Sequence, residues 1–205
     1  MSLPRELLEA LAEDAEALAA LHDRELTAET IAALREVGFP ANLGLLPAGE
    51  HSIEAWHLMA AALEETDPGA LDQLAVDYAA IYLTGAYGAS PCESVWTDDD
   101  HLACQDAMFG LREIYAAAGL AAEDWRRRPD DHLVLQLLYI AHALRRSDGA
   151  EELRRLAAMM DEHLLRCVGW LQEIERGSND EFVLASDLFR KIQPEHRAVI
   201  YITTL

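Results

Sequence analysis

The chain has 205 residues, enough for one domain with a buried core, and 51% of them are hydrophobic. It carries 37 Asp and Glu against 16 Lys and Arg, a formal net charge of −21 at pH 7. This charge repels nucleic-acid phosphates and anionic membrane surfaces, so the composition argues against both and favours a basic partner. Cys92, Cys104 and Cys167 form no C-x-x-C pair, which argues against a zinc knuckle or a disulfide framework and fits a reducing compartment.

The N-terminal stretch lacks the features of an export signal. Residues 1–23 have neither the basic start nor the unbroken apolar run of a signal peptide. No later segment approaches about 18 uncharged apolar residues, the length that a membrane-spanning helix needs. We therefore expect a cytoplasmic protein without direct membrane insertion.

Apolar residues recur at helical spacing along most of the chain. The clearest stripes are Leu7, Leu11, Ala15 and Leu18; Leu71, Leu74, Ala75, Tyr78, Ile81 and Tyr82; Cys104, Met108, Leu111 and Tyr115; and Leu153, Leu156, Met160, Leu164 and Cys167. Asp67-Pro68 supplies a start signal for the second stripe, and Gly119 a stop signal for the third. Asp148 and Glu151 have the spacing of a capping box before the fourth. Shorter helices are predicted over 27–37, 50–66, 181–191 and 194–202.

The sequence predicts an all-α fold. No polar and apolar alternation is long enough for a sheet, and Ala, Leu, Glu and Arg, which favour helix, are abundant. We expect a single bundle of about 8–10 helices in two packed subdomains. The connection 119–130, which contains Gly, Pro and three arginines, indicates a hinge at about 120–130 between an N-terminal subdomain, 1–120, and a C-terminal subdomain, 131–205.

The connection 84–97 carries large aromatic side chains, which is unusual for a loop. Tyr87 and Trp96 lie within it, and Tyr82 comes just before it. Aromatic rings of this size cover apolar surface because leaving them in water is unfavourable. Two interpretations stay open: the rings pack on their own core, or they line a groove for a partner.

The stretch Asp130-Asp131-His132 also has two interpretations. Asp130 or Asp131 is suited to cap a helix that begins near 131, where a carboxylate favours the positive end of the helix dipole. A cap needs only one aspartate, and a histidine is not the usual residue beside it. The three residues are therefore candidates for a docking surface as well as for a cap.

A metal site is the alternative from another class of function. Glu54 with His57, and Asp98 with His101, have the i, i+3 spacing found in helical bundles with two metal ions. Such bundles also need two further buried glutamates, and the sequence identifies none. A helical-bundle metalloenzyme using His57, His101 and nearby carboxylates is thus the weaker hypothesis, and we expect no cofactor and no catalytic residue.

Three segments occur in an informative order: DYAAIYLTGAYGASPCESVW at 77–96, RRPDDHLVLQLLYIAHAL at 127–144 and DEHLLRCVGWLQEI at 161–174. Together they resemble the TorD/DmsD/NarJ family of cytoplasmic chaperones for molybdenum-containing oxidoreductases, which are all-helical and of similar length. The matches to the family's P-x-E-S-hydrophobic-aromatic turn are Pro91, Glu93, Ser94 and Trp96, and those to its E-P-x-D-H signature are Pro129, Asp131 and His132. Arg128 replaces the signature glutamate, and Gln136 stands where a glutamate is frequent.

The resemblance implies a protein that binds the twin-arginine signal peptide and the immature form of a molybdenum-dependent reductase or dehydrogenase until the cofactor is inserted. We expect apolar walls for the peptide from Tyr82, Tyr87 and Trp96. Glu93 and Asp131 are expected to meet leader arginines, and His132 to hydrogen-bond the peptide or orient Asp131. The resemblance leaves open a monomer or a domain-swapped dimer.

Overall fold

A computed structural model describes residues 3–44, 68–84 and 90–164, together with single positions between 53 and 64. Its α-helices are α1 (Arg5–Asp23), α2 (Ala28–Glu36), α3 (Pro68–Tyr78), α4 (Ser94–Thr97), α5 (Asp106–Ala117), α6 (Leu133–Arg146) and α7 (Ala150–Met159). Two short π-helices, Ala79–Leu83 and Met160–Leu164, continue α3 and α7. The described residues include no β-strand and only one isolated bridge, between Cys92 and His132, so the all-α fold is confirmed.

The centre of the core is the packing of α1 along α6. Both helices have an apolar stripe at helical spacing. Its buried side chains include Leu8, Leu11, Ala15 and Leu18 on α1 and Leu133, Leu137, Ile140 and Leu144 on α6. On the outer side of the pair, Arg145 forms ion pairs with Glu9 and Glu16. In the part of the chain that the structure describes, no helix has the length and apolar character needed to cross a membrane.

Several helix ends agree with their sequence signals. α3 begins at Pro68, and the α2 cap Thr27 accepts a hydrogen bond from the Thr30 N–H at 3.2 Å. α5 is closed by Gly119, which has a φ of +77°, and the Leu120 N–H reaches back to the Tyr115 carbonyl at 2.9 Å. A glycine adopts this left-handed conformation without steric cost, so Gly119 is a stop signal for a physical reason.

Two local predictions were wrong. Cys104 does not belong to the α5 stripe, because it precedes the helix and has a φ of +61°. Asp148 forms no capping box, because α7 begins at Ala150 and its capping position is Gly149, which offers no side chain. The described positions between 53 and 64 are helical, whereas the helices predicted over 181–191 and 194–202 lie outside the described residues.

The connection 119–130 is tied to α5. Arg112 on α5 forms an ion pair with Asp130 at 2.7 Å, and its guanidinium lies over the Trp125 ring at 5.2 Å from the centroid. Most of the buried apolar residues among those described form one cluster, which includes α1 and the Met160–Leu164 π-helix. The two subdomains and the hinge between them stay a prediction.

The α1–α6 packing predicts a large difference between two adjacent leucines of α6. Leu137 is buried, whereas Leu138 is 43% exposed. We expect Leu137→Ala to lower the free energy of unfolding by about 2–5 kcal/mol, because it removes buried methyl groups and leaves a cavity. Leu138→Ala is the matched control and should cost less than about 1 kcal/mol. Urea unfolding followed by circular dichroism measures both, and equal losses would contradict the packing.

Candidate functional site

The proline-containing turn before α4 is closed by its own polar groups. The Ser90 hydroxyl accepts a hydrogen bond from the Cys92 N–H at 3.2 Å, and the Trp96 indole N–H donates to the Ser90 carbonyl at 2.9 Å. The Ser94 hydroxyl accepts a hydrogen bond from the Gln105 N–H at 3.0 Å. These bonds satisfy polar groups that have few helical partners in so short an element, and they fix Trp96 relative to the turn.

A buried carboxylate joins this turn to the segment before α6. Asp131 is fully buried, and its Oδ2 accepts a hydrogen bond from the Ser94 N–H at 2.7 Å. The Glu93 N–H donates to the Asp131 carbonyl at 3.2 Å. The other oxygen, Oδ1 of Asp131, is buried and has no hydrogen-bond partner among the described residues. Because a buried carboxylate is stabilised only by such bonds, the contact with Ser94 holds the two segments together.

The same two segments are also joined through their backbones. The Leu133 N–H donates to the Pro91 carbonyl at 2.8 Å, next to the isolated bridge between Cys92 and His132. We call the two joined segments, residues 91–96 and 129–133, the corner. The corner therefore brings together the two motifs that carry the family resemblance.

His132 is the residue that caps α6. Its Nδ1 accepts a hydrogen bond from the Val134 N–H at 3.1 Å, and the helix begins at Leu133. The prediction that Asp130 or Asp131 caps this helix was wrong, because the capping side chain comes from the residue directly before the first helical one.

Asp130 binds α5. Its Oδ2 accepts hydrogen bonds from Arg112 Nη2 at 2.7 Å and Nε at 3.2 Å. Its carbonyl accepts a hydrogen bond from the Tyr115 hydroxyl at 3.0 Å. Asp130 is 1% exposed. The two adjacent aspartates thus bind to different helices, Asp130 to α5 and Asp131 to α4.

His132 is uncharged in this position. Burial lowers its pKa to about 3, helped by the nearby Arg128 charge and opposed by that of Asp23. Since Nδ1 accepts the Val134 N–H, the single proton of the neutral ring resides on Nε2. His132 can therefore donate a hydrogen bond through Nε2 without carrying a charge.

Aromatic rings from α3 and the Ala79–Leu83 π-helix lie beside His132. The Tyr82 ring centroid is 6.4 Å from that of His132, and Tyr78 stacks on Tyr82 at 4.7 Å. The Tyr82 hydroxyl is hydrogen-bonded to Nδ1 of His22, a fully buried residue of α1. Burial raises the pKa of Tyr82 well above its ordinary value, so the phenol stays neutral. His22 was not predicted as a site residue, because the apolar spacing of α1 does not single it out.

Glu93 has a buried partner that the sequence analysis also missed. Its Oε2 lies 3.0 Å from Nδ1 of His163 in the Met160–Leu164 π-helix. Glu93 is 1% exposed, and His163 is also buried. In this conformation neither Glu93 nor Asp131 is exposed to an arginine of a ligand. His163 belongs to the third segment of the resemblance, DEHLLR, and that was the only available signal.

Arg128 connects the corner to the end of α1. Its Nη1 forms an ion pair with Asp23 Oδ1 at 2.5 Å, and its Nη2 donates to the Asp23 carbonyl at 3.3 Å. The Tyr78 hydroxyl donates to the same carbonyl at 2.9 Å. Burial opposes ionisation of Asp23, but hydrogen bonds from Arg24 and Arg128 outweigh it and lower its pKa.

The structure thus brings most of the predicted site residues together. Those in or against the corner are Tyr82, Pro91, Glu93, Ser94, Trp96, Pro129, Asp131 and His132. The Pro129 carbonyl accepts a hydrogen bond from the His132 N–H at 3.0 Å. Tyr87 lies outside the described residues.

The two histidines of the metal hypothesis are found in ordinary contacts, whereas Glu54 lies outside the described residues. The exposed His57 lies edge-on to the Trp56 ring at 5.7 Å, and Nδ1 of His101 is 2.9 Å from the Val95 carbonyl. Across the described ranges, no three His, Cys, Asp or Glu side chains are grouped closely enough to hold a metal ion. Burial raises the pKa of Cys92 to about 12 and also raises that of Cys104, which disfavours a reactive thiolate.

The Asp131–Ser94 contact predicts a stability loss that depends on the replacement. Asp131→Ala leaves the buried Ser94 N–H without its acceptor and should lower the free energy of unfolding by about 1–3 kcal/mol. Asp131→Asn keeps an oxygen in place and should cost less. The exposed Asp99, changed to Ala, is the control, and urea unfolding measures all three. Wild-type stability for Asp131→Ala would contradict the structural role of this contact.

The neutral His132 predicts a pH dependence. Between the ordinary pKa of 6.5 and the value of about 3 in the fold, the unfolded chain binds a proton that the folded chain does not. Stability should therefore fall as the pH is lowered through this window, by up to about 1.4 kcal/mol per pH unit from this group. His132→Ser keeps a helix cap but removes the titrating ring, so its unfolding free energy should fall less steeply with decreasing pH. Identical slopes in urea titrations from pH 7 to pH 5 would rule out this contribution.

Comparison with curated proteins first finds a short, strong similarity. A bifunctional uridylyltransferase/uridylyl-removing enzyme of Bradyrhizobium sp. (strain ORS 278) is 80% identical over 46 residues, which is 22% of this chain and 5% of that enzyme. The chain therefore spans about one twentieth of the length of the first curated relatives that it matches. A match this short does not assign the activity of that enzyme to this chain. No solved structure matches the chain.

Longer similarities are to two proteins named as chaperones, and a family model covers the corner. The chaperone protein TorD of Shewanella pealeana is 31% identical over 117 residues, 53% of each chain. TorD of Shewanella oneidensis is 26% identical over 174 residues, which is 82% of this chain and 79% of that protein. The family model described as nitrate reductase delta subunit matches residues 49–173, more than half of the chain and including both motifs of the corner. The chain therefore belongs to the nitrate reductase delta subunit family, the TorD/NarJ family that its motifs resemble.

Proposed function

We propose that this protein is a cytoplasmic chaperone, without catalytic activity, for a molybdenum-dependent reductase or dehydrogenase. It binds the twin-arginine signal peptide and the immature form of that enzyme, and so delays export until the cofactor is inserted. The family membership and the name of the TorD relatives support the general role in enzyme maturation. The observation that carries the peptide-binding part is the corner, where two separate motifs meet beside Tyr82 and His132.

The chemistry of a twin-arginine leader supports this proposal. Such a leader combines positive charge with an apolar segment, so its receptor needs a negative field and an apolar surface. The chain has a formal net charge of −21, which speeds the encounter with a cationic peptide. Tyr82 and the half-buried Trp96 supply aromatic surface at the corner, and Tyr87 is proposed to extend it.

The burial of the corner carboxylates assigns them a supporting role in the proposal. Asp131 and Glu93 hold the corner through Ser94 and His163, as Pro91 does through its carbonyl. The direct hydrogen bond to the peptide then comes from His132, whose Nε2–H is suited to donate to a backbone carbonyl of the peptide. An arginine could reach Asp131 or Glu93 only after the corner had opened.

A leader titration tests the function and the role of His132 together. A synthetic twin-arginine leader peptide should bind the wild-type protein in isothermal titration calorimetry at low salt. His132→Ser keeps the helix cap and removes the ring donor, so it should weaken binding about two- to tenfold, the value of one hydrogen bond. His57→Ser, which changes an exposed histidine outside the corner, is the control and should bind as the wild type does. Unchanged affinity in folded His132→Ser would remove His132 from the site, whereas absence of binding to the wild type would contradict the function.

A further inference from the structure

The three carboxylates of the corner are buried, although the chain as a whole is strongly acidic. Asp130 is paired with Arg112, Glu93 with His163, and Asp131 binds the Ser94 N–H. These three carboxylates are at most 1% exposed. They therefore offer no exposed negative charge to a ligand at this place.

The two rings that meet at the α6 end of the corner are uncharged. His132 is neutral and carries its proton on Nε2, and its ring lies beside the neutral phenol of Tyr82. Tyr78 stacks on Tyr82 and uses its hydroxyl to bind the Asp23 carbonyl. A ligand at these rings meets aromatic surface and a neutral hydrogen-bond donor.

Two charges that act on His132 and keep some exposure are those of Arg128 and Asp23, which are paired with each other. The exposed Arg24 binds the other carboxylate oxygen of Asp23 at 2.8 Å. The side chain of Asp23 is 20% exposed and that of Arg128 is 36% exposed. The Asp23 carbonyl links this pair to the aromatic rings, because it accepts hydrogen bonds from both the Tyr78 hydroxyl and Arg128. This pair forms the rim of the corner. Arg128 stands where the signature of the family has a glutamate, which in this position would place a second negative charge beside Asp23 instead of neutralising it.

We propose that Arg128 is a specificity-determining residue of the signal-peptide site. It holds Oδ1 and the carbonyl of Asp23 while Arg24 holds Oδ2, and so it withholds this rim carboxylate from the arginines of the leader. The corner of this chain then selects the uncharged part of the leader, and the arginine pair contributes little to affinity there. A carboxylate that already has a guanidinium partner leaves only a weak field for a second one in water. This inference rests on the proposed function and names the part of the ligand that the site reads.

The test compares two synthetic leader peptides that differ only in the pair Arg-Arg or Gln-Gln. The measured quantity is the ratio of their affinities for the wild type and for Asp23→Asn, Arg128→Gln and Arg128→Glu, at low salt. The preference for Arg-Arg should rise in the order Asp23→Asn, wild type, Arg128→Gln, Arg128→Glu, because the rim becomes more negative along this series. Each step should change the ratio by up to about fivefold, the range of one exposed ion pair. The differences should vanish at about 1 M salt, where the Debye length is about 3 Å.

Arg154→Gln is the matched control. Arg154 forms an exposed ion pair with Glu151 on α7, so this change alters the net charge as Arg128→Gln does but leaves the rim intact. It should reproduce the wild-type ratio, which separates the rim from the net charge. Circular dichroism and urea midpoints establish that each variant is folded. If Arg128→Glu does not fold, Arg128→Gln alone tests the effect of removing the Arg128 charge.

The two levels of the proposal fail in different ways. If the wild type binds both peptides but the ratio is the same in all folded variants, Arg128 does not determine specificity and the proposed function stands. If Arg154→Gln shifts the ratio as much as Arg128→Gln, the effect belongs to net charge and the inference is also overturned. If the wild type binds neither peptide at low salt, the proposed function itself is contradicted.

Discussion

The hydrogen bond from the Ser94 N–H to the buried Asp131 carboxylate is the constraint on which the candidate site depends. It joins positions 37 residues apart in the chain and lies beside two backbone bonds that connect the same segments. A buried carboxylate is unfavourable unless hydrogen-bond donors surround it, so the donor supplied by the turn at α4 stabilises the position of the segment before α6. This dependence gives a physical reason for two short motifs to occur together: one supplies the acceptor and the other the donor.

Most of the fold could be predicted because it depends on local patterns. The predicted apolar stripes of α1, α5 and α7 each mark the face that a helix turns toward the core, and such a face can be recognised from a few turns of sequence. The ends at Pro68 and Gly119 were equally readable, since each follows from the backbone preferences of one residue. The resemblance then identified both halves of the corner before any contact between them was known.

The contacts inside the site could not be predicted because they join residues distant in the chain. His22 and Tyr82 are 60 positions apart, and Glu93 and His163 are 70 apart, so no spacing rule connects them. The cap of α6 was wrong for a different reason: a shift of one or two residues in the helix start exchanges the roles of Asp131 and His132. Helix boundaries are the least certain part of any pattern, and a site built at a boundary inherits that uncertainty.

A corner whose carboxylates are buried, in a highly charged protein, divides binding into two physical steps. The net charge of −21 acts over about the Debye length of 8 Å at physiological salt and therefore favours the approach of a cationic peptide. Once the peptide is bound, short-range contacts with the rings of Tyr82 and His132 determine how long it stays. Under the proposed function this separation is useful, because a chaperone must capture its client quickly and still release it. A corner with exposed, unpaired carboxylates would combine the two steps and couple release to the same charges that drive capture.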